Sequence, residues 1–155
     1  MTVPPTPVQP PKMNFLFKLS LKPQIFLLRR NMMGSAGNFL MVITTTGRKS
    51  GKQFSTPIGY LRDGETIYAF NLGGQSNWYK NLLVNPLVKL EIKGKAYAMR
   101  GEKISDTAEA ERVLGLYQQQ QASTAQRFFG LAPDATGAER LKVLDHVTLI
   151  RFSPA

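Results

Sequence analysis

The 155-residue chain has no cysteine, one histidine (His146), one tryptophan (Trp78) and only ten acidic residues. Without cysteine there is no disulfide, no thiolate metal site and no cysteine nucleophile. The same absence fits a reducing compartment. His146 has no carboxylates around it at ligand spacing, which argues against zinc or another transition metal, so no metal site is expected. Serine-hydrolase chemistry would need His146 as its base, and the chain has no Gly-x-Ser-x-Gly elbow. The few acids are scattered across turns and helices, which excludes the paired carboxylates of a glycosidase. No stretch approaches the roughly 18 apolar residues of a membrane-spanning helix. The positive-then-apolar order of a signal peptide is missing as well.

What is abundant is positive charge. Twenty Lys and Arg give a formal net charge of +10. Such a surplus attracts anions, whether nucleic acid, lipid headgroups or an acidic cofactor. The basic residues gather at 12–30, at 48–52 and at 80–103. They are not interleaved with stacking aromatics, so a nucleic-acid partner is not expected.

The length predicts one domain with a real core. Residues 1–12 carry five prolines and read as an extended, disordered tail, followed by a single domain over 13–155. Two helical stretches are expected first, Asn14 to Leu19 and Lys22 to Met33, with Pro23 in the first turn of the second. The second is basic and amphipathic. It suits packing across a barrel end, and peripheral contact with an anionic membrane is its other use. Gly34 to Gly37 should stop it.

Strands follow at 39–46, 53–61 and 66–71, expected to form an antiparallel meander with an Asp63-Gly64 hairpin. Pro57 should place the second of these at a sheet edge. Ser76 is expected to cap a short helix that ends at Asn85-Pro86. Strands at 88–93 and 96–104, an Asp106-capped helix over 108–121, further helical turns and a closing strand at 147–152 complete the order. The expected fold is α+β: about six mostly antiparallel strands with packed helices.

Two clusters carry chemistry. Thr44-Thr45-Thr46-Gly47-Arg48-Lys49-Ser50-Gly51 packs hydroxyls, two cations and two glycines into one hairpin. Glycines let backbone N–H groups approach an anion, and Arg48 offers a bidentate fork. A merely polar hairpin has the same composition. The second cluster is Gly73-Gly74-Gln75-Ser76-Asn77-Trp78-Tyr79-Lys80-Asn81-Leu82. It could wall a planar ring, or be a surface loop anchored by Trp78.

In this order, with Pro57 and Tyr60, Arg62-Asp63-Gly64 and Asn85-Pro86-x-Val88, the motifs resemble the deazaflavin-dependent nitroreductase family. The resemblance is specific from about Val42 to Val88 and weaker toward Arg127-Phe128-Phe129-Gly130. It implies a split β-barrel of the FMN-binding type. It further implies an oxidoreductase that uses coenzyme F420 to reduce quinones, nitroaromatics or similar activated small-molecule acceptors. By family pattern, Arg48, Lys49 and Ser50 would meet the cofactor's acidic phosphate and tail. Pro57, Ile58 and Tyr60 would lie along its groove, and Asn71, Trp78, Tyr79, Lys80 and Asn81 would flank phosphate and ring. Tyr117, Phe128 and Phe129 would form the substrate pocket. No catalytic residue is assigned, and Tyr60, Tyr79 and Ser76 are the candidate proton donors.

Two positions depart from the pattern: Phe54 stands where many members have Arg, and Leu72 where they have Lys. Each lost charge-assisted bond is worth about 1–3 kcal/mol. FMN is therefore the alternative cofactor, and a barrel that carries fatty acid, haem or flavin without turnover is the alternative function. The expected location is cytoplasmic, with membrane association through the basic helix left open. Monomer and homodimer are both open.

Overall fold

The computed structural model describes residues 15–155, with side chains from Leu21 onward. The Pro-rich tail lies outside the described residues. Helix α1 (Phe15–Arg29) is one continuous helix with Pro23 inside it, where two stretches were expected. Pro23 is exposed, so water can bond the carbonyl that its ring leaves without a partner. The helix also stops earlier than expected. Asn31 takes a left-handed φ of 53°, its N–H donates to the Leu28 carbonyl, and that of Met32 donates to Leu27. This is the Schellman pattern, with asparagine in place of glycine. The Gly34–Asn38 segment that follows is a 3-10 turn.

Seven strands form one antiparallel sheet: β1 (Leu40–Thr46), β2 (Gln53–Gly59), β3 (Leu61–Asp63), β4 (Thr66–Leu72), β5 (Leu87–Ile92), β6 (Lys95–Lys103) and β7 (Val147–Pro154). Their order is β2-β1-β5-β6-β7-β4-β3. The seventh strand arises because the expected 53–61 strand breaks at Tyr60. Its N–H bonds back to the Phe39 carbonyl at 2.8 Å, and its hydroxyl donates to the Gly37 carbonyl at 2.8 Å. The expected meander is corrected too. β1 and β2 form the hairpin, but β4 pairs with β3 and β7.

The break decides the architecture. β2 and β3 stand at opposite ends of the strand order, yet one residue joins them. The sheet must therefore roll up so that its two ends meet at Tyr60, and that closure makes a barrel. Pro57 sits in β2, which pairs only with β1. This is the edge position that a missing ladder donor requires.

Strand alternation separates two cores. Met41 and Ile43 of β1, Ile67 and Ala69 of β4, Leu90 of β5 and Phe152 of β7 fill the barrel interior. Helix α2 (Asn77–Val84) adds Trp78, Tyr79 and Leu82 to this interior core. Gly101 of β6 makes room for it, since a Cβ there would overlap Leu82 and Phe152. The outer face of β3, β4 and β7 packs beneath α3 (Thr107–Gln120), α4 (Ala122–Phe129) and α5 (Gly137–Val143). Asp106 caps α3 by accepting from the Ala108 N–H. Helix α1 lies on the outer face of β2, β1 and β5, where Arg29 bonds Glu91 and Ser55.

Candidate functional site

The β1–β2 hairpin is tightly closed. The Gly47 N–H donates to the Lys52 carbonyl at 2.7 Å, and that of Gly51, at φ +71°, donates to Gly47 at 3.0 Å. Ser50 Oγ accepts from the Lys52 N–H. Lys49 and Ser50 are exposed, and Arg48 is half-buried. Arg48 turns back over the end of α2, where Asn81 Oδ1 accepts from its guanidinium at 2.8 Å and from its backbone N–H at 3.2 Å. Asn81 Nδ2 in turn donates to Thr45 Oγ1 at 3.2 Å. Asn85 ties the same helix end to the Thr46 carbonyl. Asn81 is only 4% exposed, so a buried amide holds a cation at the barrel rim. Thr45, one of the hydroxyls of the hairpin cluster read from the sequence, completes this network.

Register assigns the faces. Thr45 pairs with Phe54, Ile43 with Thr56 and Met41 with Ile58. Phe54, Thr56 and Ile58 therefore share the interior face with the core residues Met41 and Ile43. Phe54 is 52% exposed and Ile58 is half-buried, so this row is an accessible apolar shelf leading away from Arg48. Pro57 pairs with Val42 and lies on the other face, on the α1 side. Its fixed backbone shapes the edge strand, while its ring is turned from the shelf.

Asn71 lies on the same face of β4 as the interior residues Ile67 and Ala69. It is 2% exposed, and neither its Oδ1 nor its Nδ2 has a hydrogen-bond partner among the described residues. An unpartnered buried amide costs about 1–3 kcal/mol, so Asn71 has hydrogen-bonding capacity free on the interior face. Trp78 and Tyr79 are buried core residues in an edge-to-face pair with centroids 6.2 Å apart. Tyr79 lies against Gly74, whose φ is +67°. Ser76 stands at the N-cap of α2 but makes no capping hydrogen bond, contrary to expectation, so its half-buried hydroxyl is uncommitted among the described residues. Lys80 is half-buried on the same helix.

The structure does not bring the expected substrate residues to this face. Tyr117, Phe128 and Phe129 gather around Phe70, which alternates with Ala69 and Asn71 and so points away from the interior. Tyr117 and Phe129 are 1% and 3% exposed, leaving them no surface for a substrate. Phe128 alone is partly accessible. Tyr60 is buried and its phenol proton is engaged by Gly37. Burial pushes its pKa above the ordinary phenol value, against the opposing influence of nearby Arg62. His146 is exposed on a turn, and no group of three metal-ligating side chains occurs among the described residues.

The rolled seven-stranded sheet, closed at Tyr60 and flanked by helices, is a split β-barrel, with the clamped arginine and the apolar shelf at its rim. Solved structures with this fold include an F420-H2-dependent reductase (FDR-A), 19% identical over 74% of this chain and 93% of that chain with a TM-score of 0.54. A FAD-binding protein from Mesorhizobium loti shares 13% identity over 86% of this chain and 89% of that chain, TM-score 0.51. The heme storage protein HutZ from Vibrio cholerae shares 15% over 87% and 90%, TM-score 0.54. The profile of the F420H(2)-dependent quinone reductase family matches residues 28–136, and the chain belongs to that family. It is an F420-dependent oxidoreductase, with coenzyme F420 as the expected cofactor.

The donor set fits that group. A strongly anionic cofactor needs fixed cations at the rim, a planar ring needs an apolar shelf, and the Asn71 amide offers both a donor and an acceptor.

Proposed function

We propose that the protein takes up coenzyme F420 with its acidic end against Arg48, Lys49 and Lys80 and its ring along the Phe54–Thr56–Ile58 shelf. In this reading it reduces quinones, nitroaromatics or similarly activated acceptors. The observation that carries the reading is Arg48 held by the buried Asn81. The guanidinium is already positioned, so binding an anion there orders little further. Bound F420 supplies two-electron hydride chemistry, and the chain supplies binding, orientation and water exclusion. Ser50 and the neighbouring Lys49 are free to follow the flexible end of the cofactor. Asn71 hydrogen-bonds whatever polar edge reaches it.

The Tyr60 phenol is a poor proton source at neutral pH, because its proton is engaged and burial weakens its acidity. Tyr79, Ser76 or water is left to deliver a proton to the reduced acceptor. Phe54 and Leu72 lower the number of cations compared with the family pattern, and in this reading Lys52 or Lys80 compensates. No described helix is long and apolar enough to cross a membrane.

A fluorescence titration with oxidised F420, with FMN alongside, tests the cofactor assignment. Saturable F420 binding that weakens strongly in Arg48→Ala is the expected result. Binding of FMN alone, or an unchanged dissociation constant in Arg48→Ala, would remove the assignment. Steady-state rates with a benzoquinone and a nitroaromatic then separate the acceptor classes.

A further inference from the structure

We propose that the foot of the barrel holds a second ligand site, built for a small planar anion of the aromatic carboxylate class. A cleft of about 220 Å³ opens there, walled by Phe39, Tyr60 and Ile92 and rimmed by Arg62, Lys93 and Gln121. Phe39 precedes β1 and Arg48 follows it, so the cleft and the hairpin lie at opposite ends of a seven-residue strand. At roughly 3.3 Å per residue they stand about 20 Å apart. The cleft is therefore separate from the cation that receives the cofactor's acidic end.

Its charge is uncompensated. No carboxylate lines the cleft, and neither Arg62 nor Lys93 makes an ion pair among the described residues. Arg62 is held in place: its Nε donates to the Gly64 carbonyl at 3.1 Å, and its guanidinium lies 5.7 Å from the centre of the Tyr97 ring. The two terminal nitrogens have no partner among the described residues and can meet a carboxylate in bidentate fashion.

Lys93 is the more telling residue. Its φ is +50°, beside Gly94 at +79°, which gives the two-residue β5–β6 turn a positive φ at both central positions. Glycine or asparagine ordinarily fills such a place, and a long side chain there is strained. The turn lies beside the end of α1, where a Cβ at Gly94 would reach van der Waals contact with the Arg29 carbonyl and Asn31. The turn thus roots Lys93, an exposed residue, at the rim of the cleft, where its flexible ammonium is in reach of a bound anion.

The walls suit a ring. Phe39 is 48% exposed, an unusual loss of burial for an aromatic side chain, and it offers an apolar face. Tyr60 is a rigid back wall, with its hydroxyl on Gly37 and its carbonyl accepting from Gln121 Nε2 at 2.8 Å. One held guanidinium and one nearby ammonium over two aromatic walls select a flat molecule with one negative charge at its edge. A neutral ring would leave both cations without a partner.

Calorimetric titration of the full-length protein with 2-naphthoate, and with its neutral amide, tests the site. One naphthoate per chain is expected, with the amide bound at least about tenfold more weakly, the difference that one charge-assisted hydrogen bond makes. Arg62→Gln and Lys93→Gly should each weaken naphthoate by about tenfold, while Arg48→Ala leaves it within about twofold. Lys93→Gly relieves the left-handed strain, so its melting temperature should match or exceed that of the parent, which rules out misfolding as the cause of lost binding. Equal binding of the amide, no saturable binding, or a loss in Arg48→Ala as large as in Arg62→Gln would each overturn the proposal.

Discussion

Asn81 Oδ1 accepts two hydrogen bonds from a single residue, Arg48, one from the guanidinium at 2.8 Å and one from the backbone N–H at 3.2 Å. Helix α2 and the β1–β2 hairpin are therefore joined through one buried amide, and the cation is positioned before any ligand arrives. Asn81→Leu should lower stability by about 1–3 kcal/mol, since it leaves Thr45 and Arg48 without their partner. It should also weaken F420 binding by about tenfold, although Asn81 need not touch the cofactor. Urea unfolding and a cofactor titration check both effects. Lost stability with unchanged affinity would limit Asn81 to a structural role.

Asn71 predicts effects of opposite sign. Its amide is buried with both polar atoms unpartnered among the described residues. Asn71→Val removes an unsatisfied group and should raise the stability of the cofactor-free protein by about 1 kcal/mol. The same change should weaken F420 binding. Thermal melts with and without F420 give both numbers, and a destabilised cofactor-free variant would contradict the ligand role.

Gly101→Ala tests how the barrel is filled. The added methyl would overlap Leu82 on α2 and Phe152 on β7. Overpacking of this kind costs about 1–3 kcal/mol. Because Leu82 adjoins Asn81, F420 affinity should fall along with the melting temperature. An unchanged melting temperature would mean that α2 is free to move outward.

The two buried phenols predict an alkaline dependence. Burial raises the Tyr60 pKa above its ordinary value, and that of the fully buried Tyr117 much further. In the unfolded chain both lose their protons near pH 10, a value set by the free phenol. The folded chain keeps them, so the unfolded state binds fewer protons above that pH. Stability is complete below about pH 10 and falls as pH rises beyond it. Tyr117→Phe should shrink this fall at little cost near pH 7, because its hydroxyl has no partner among the described residues. Tyr60→Phe also shrinks it but should cost about 1 kcal/mol at neutral pH, where the bond to Gly37 is lost. Chemical unfolding at pH 7 and 10.5 separates the two; equal alkaline losses in all three proteins would refute the assignment.

Much of the fold is legible along the chain. Asp63-Gly64 marks a hairpin, Asp106 caps α3, and Pro57 places β2 at an edge. These are short-range signals, set by a residue's own dihedrals or by a side chain two residues away. The Thr-Thr-Thr-Gly-Arg-Lys hairpin and the Trp78–Asn81 run are legible as a family pattern for the same reason: they are contiguous. The end of α1 is harder to read, because Asn31 rather than the later glycines takes the left-handed turn. The break at Tyr60 has only the adjacent Gly59 as a local signal, and a single glycine inside a strand pattern marks a bulge as readily as an end.

The sequence by itself determined most of the element order, the Asp106 cap, the Asp63-Gly64 turn, the cationic hairpin and the membership of a redox family. Only the tertiary structure decided which side of each strand looks inward. β1 and β4 are buried on both faces, so period-two alternation says that two faces exist but not which one meets α2. That choice is made by barrel closure at Tyr60, a contact between opposite ends of the strand order. It puts Ile58 and Asn71 on the inner face, Pro57 against α1, and Phe70 with Tyr117 and Phe129 beneath the helices. Long-range packing assigns the faces because each strand carries enough apolar surface to bury either one.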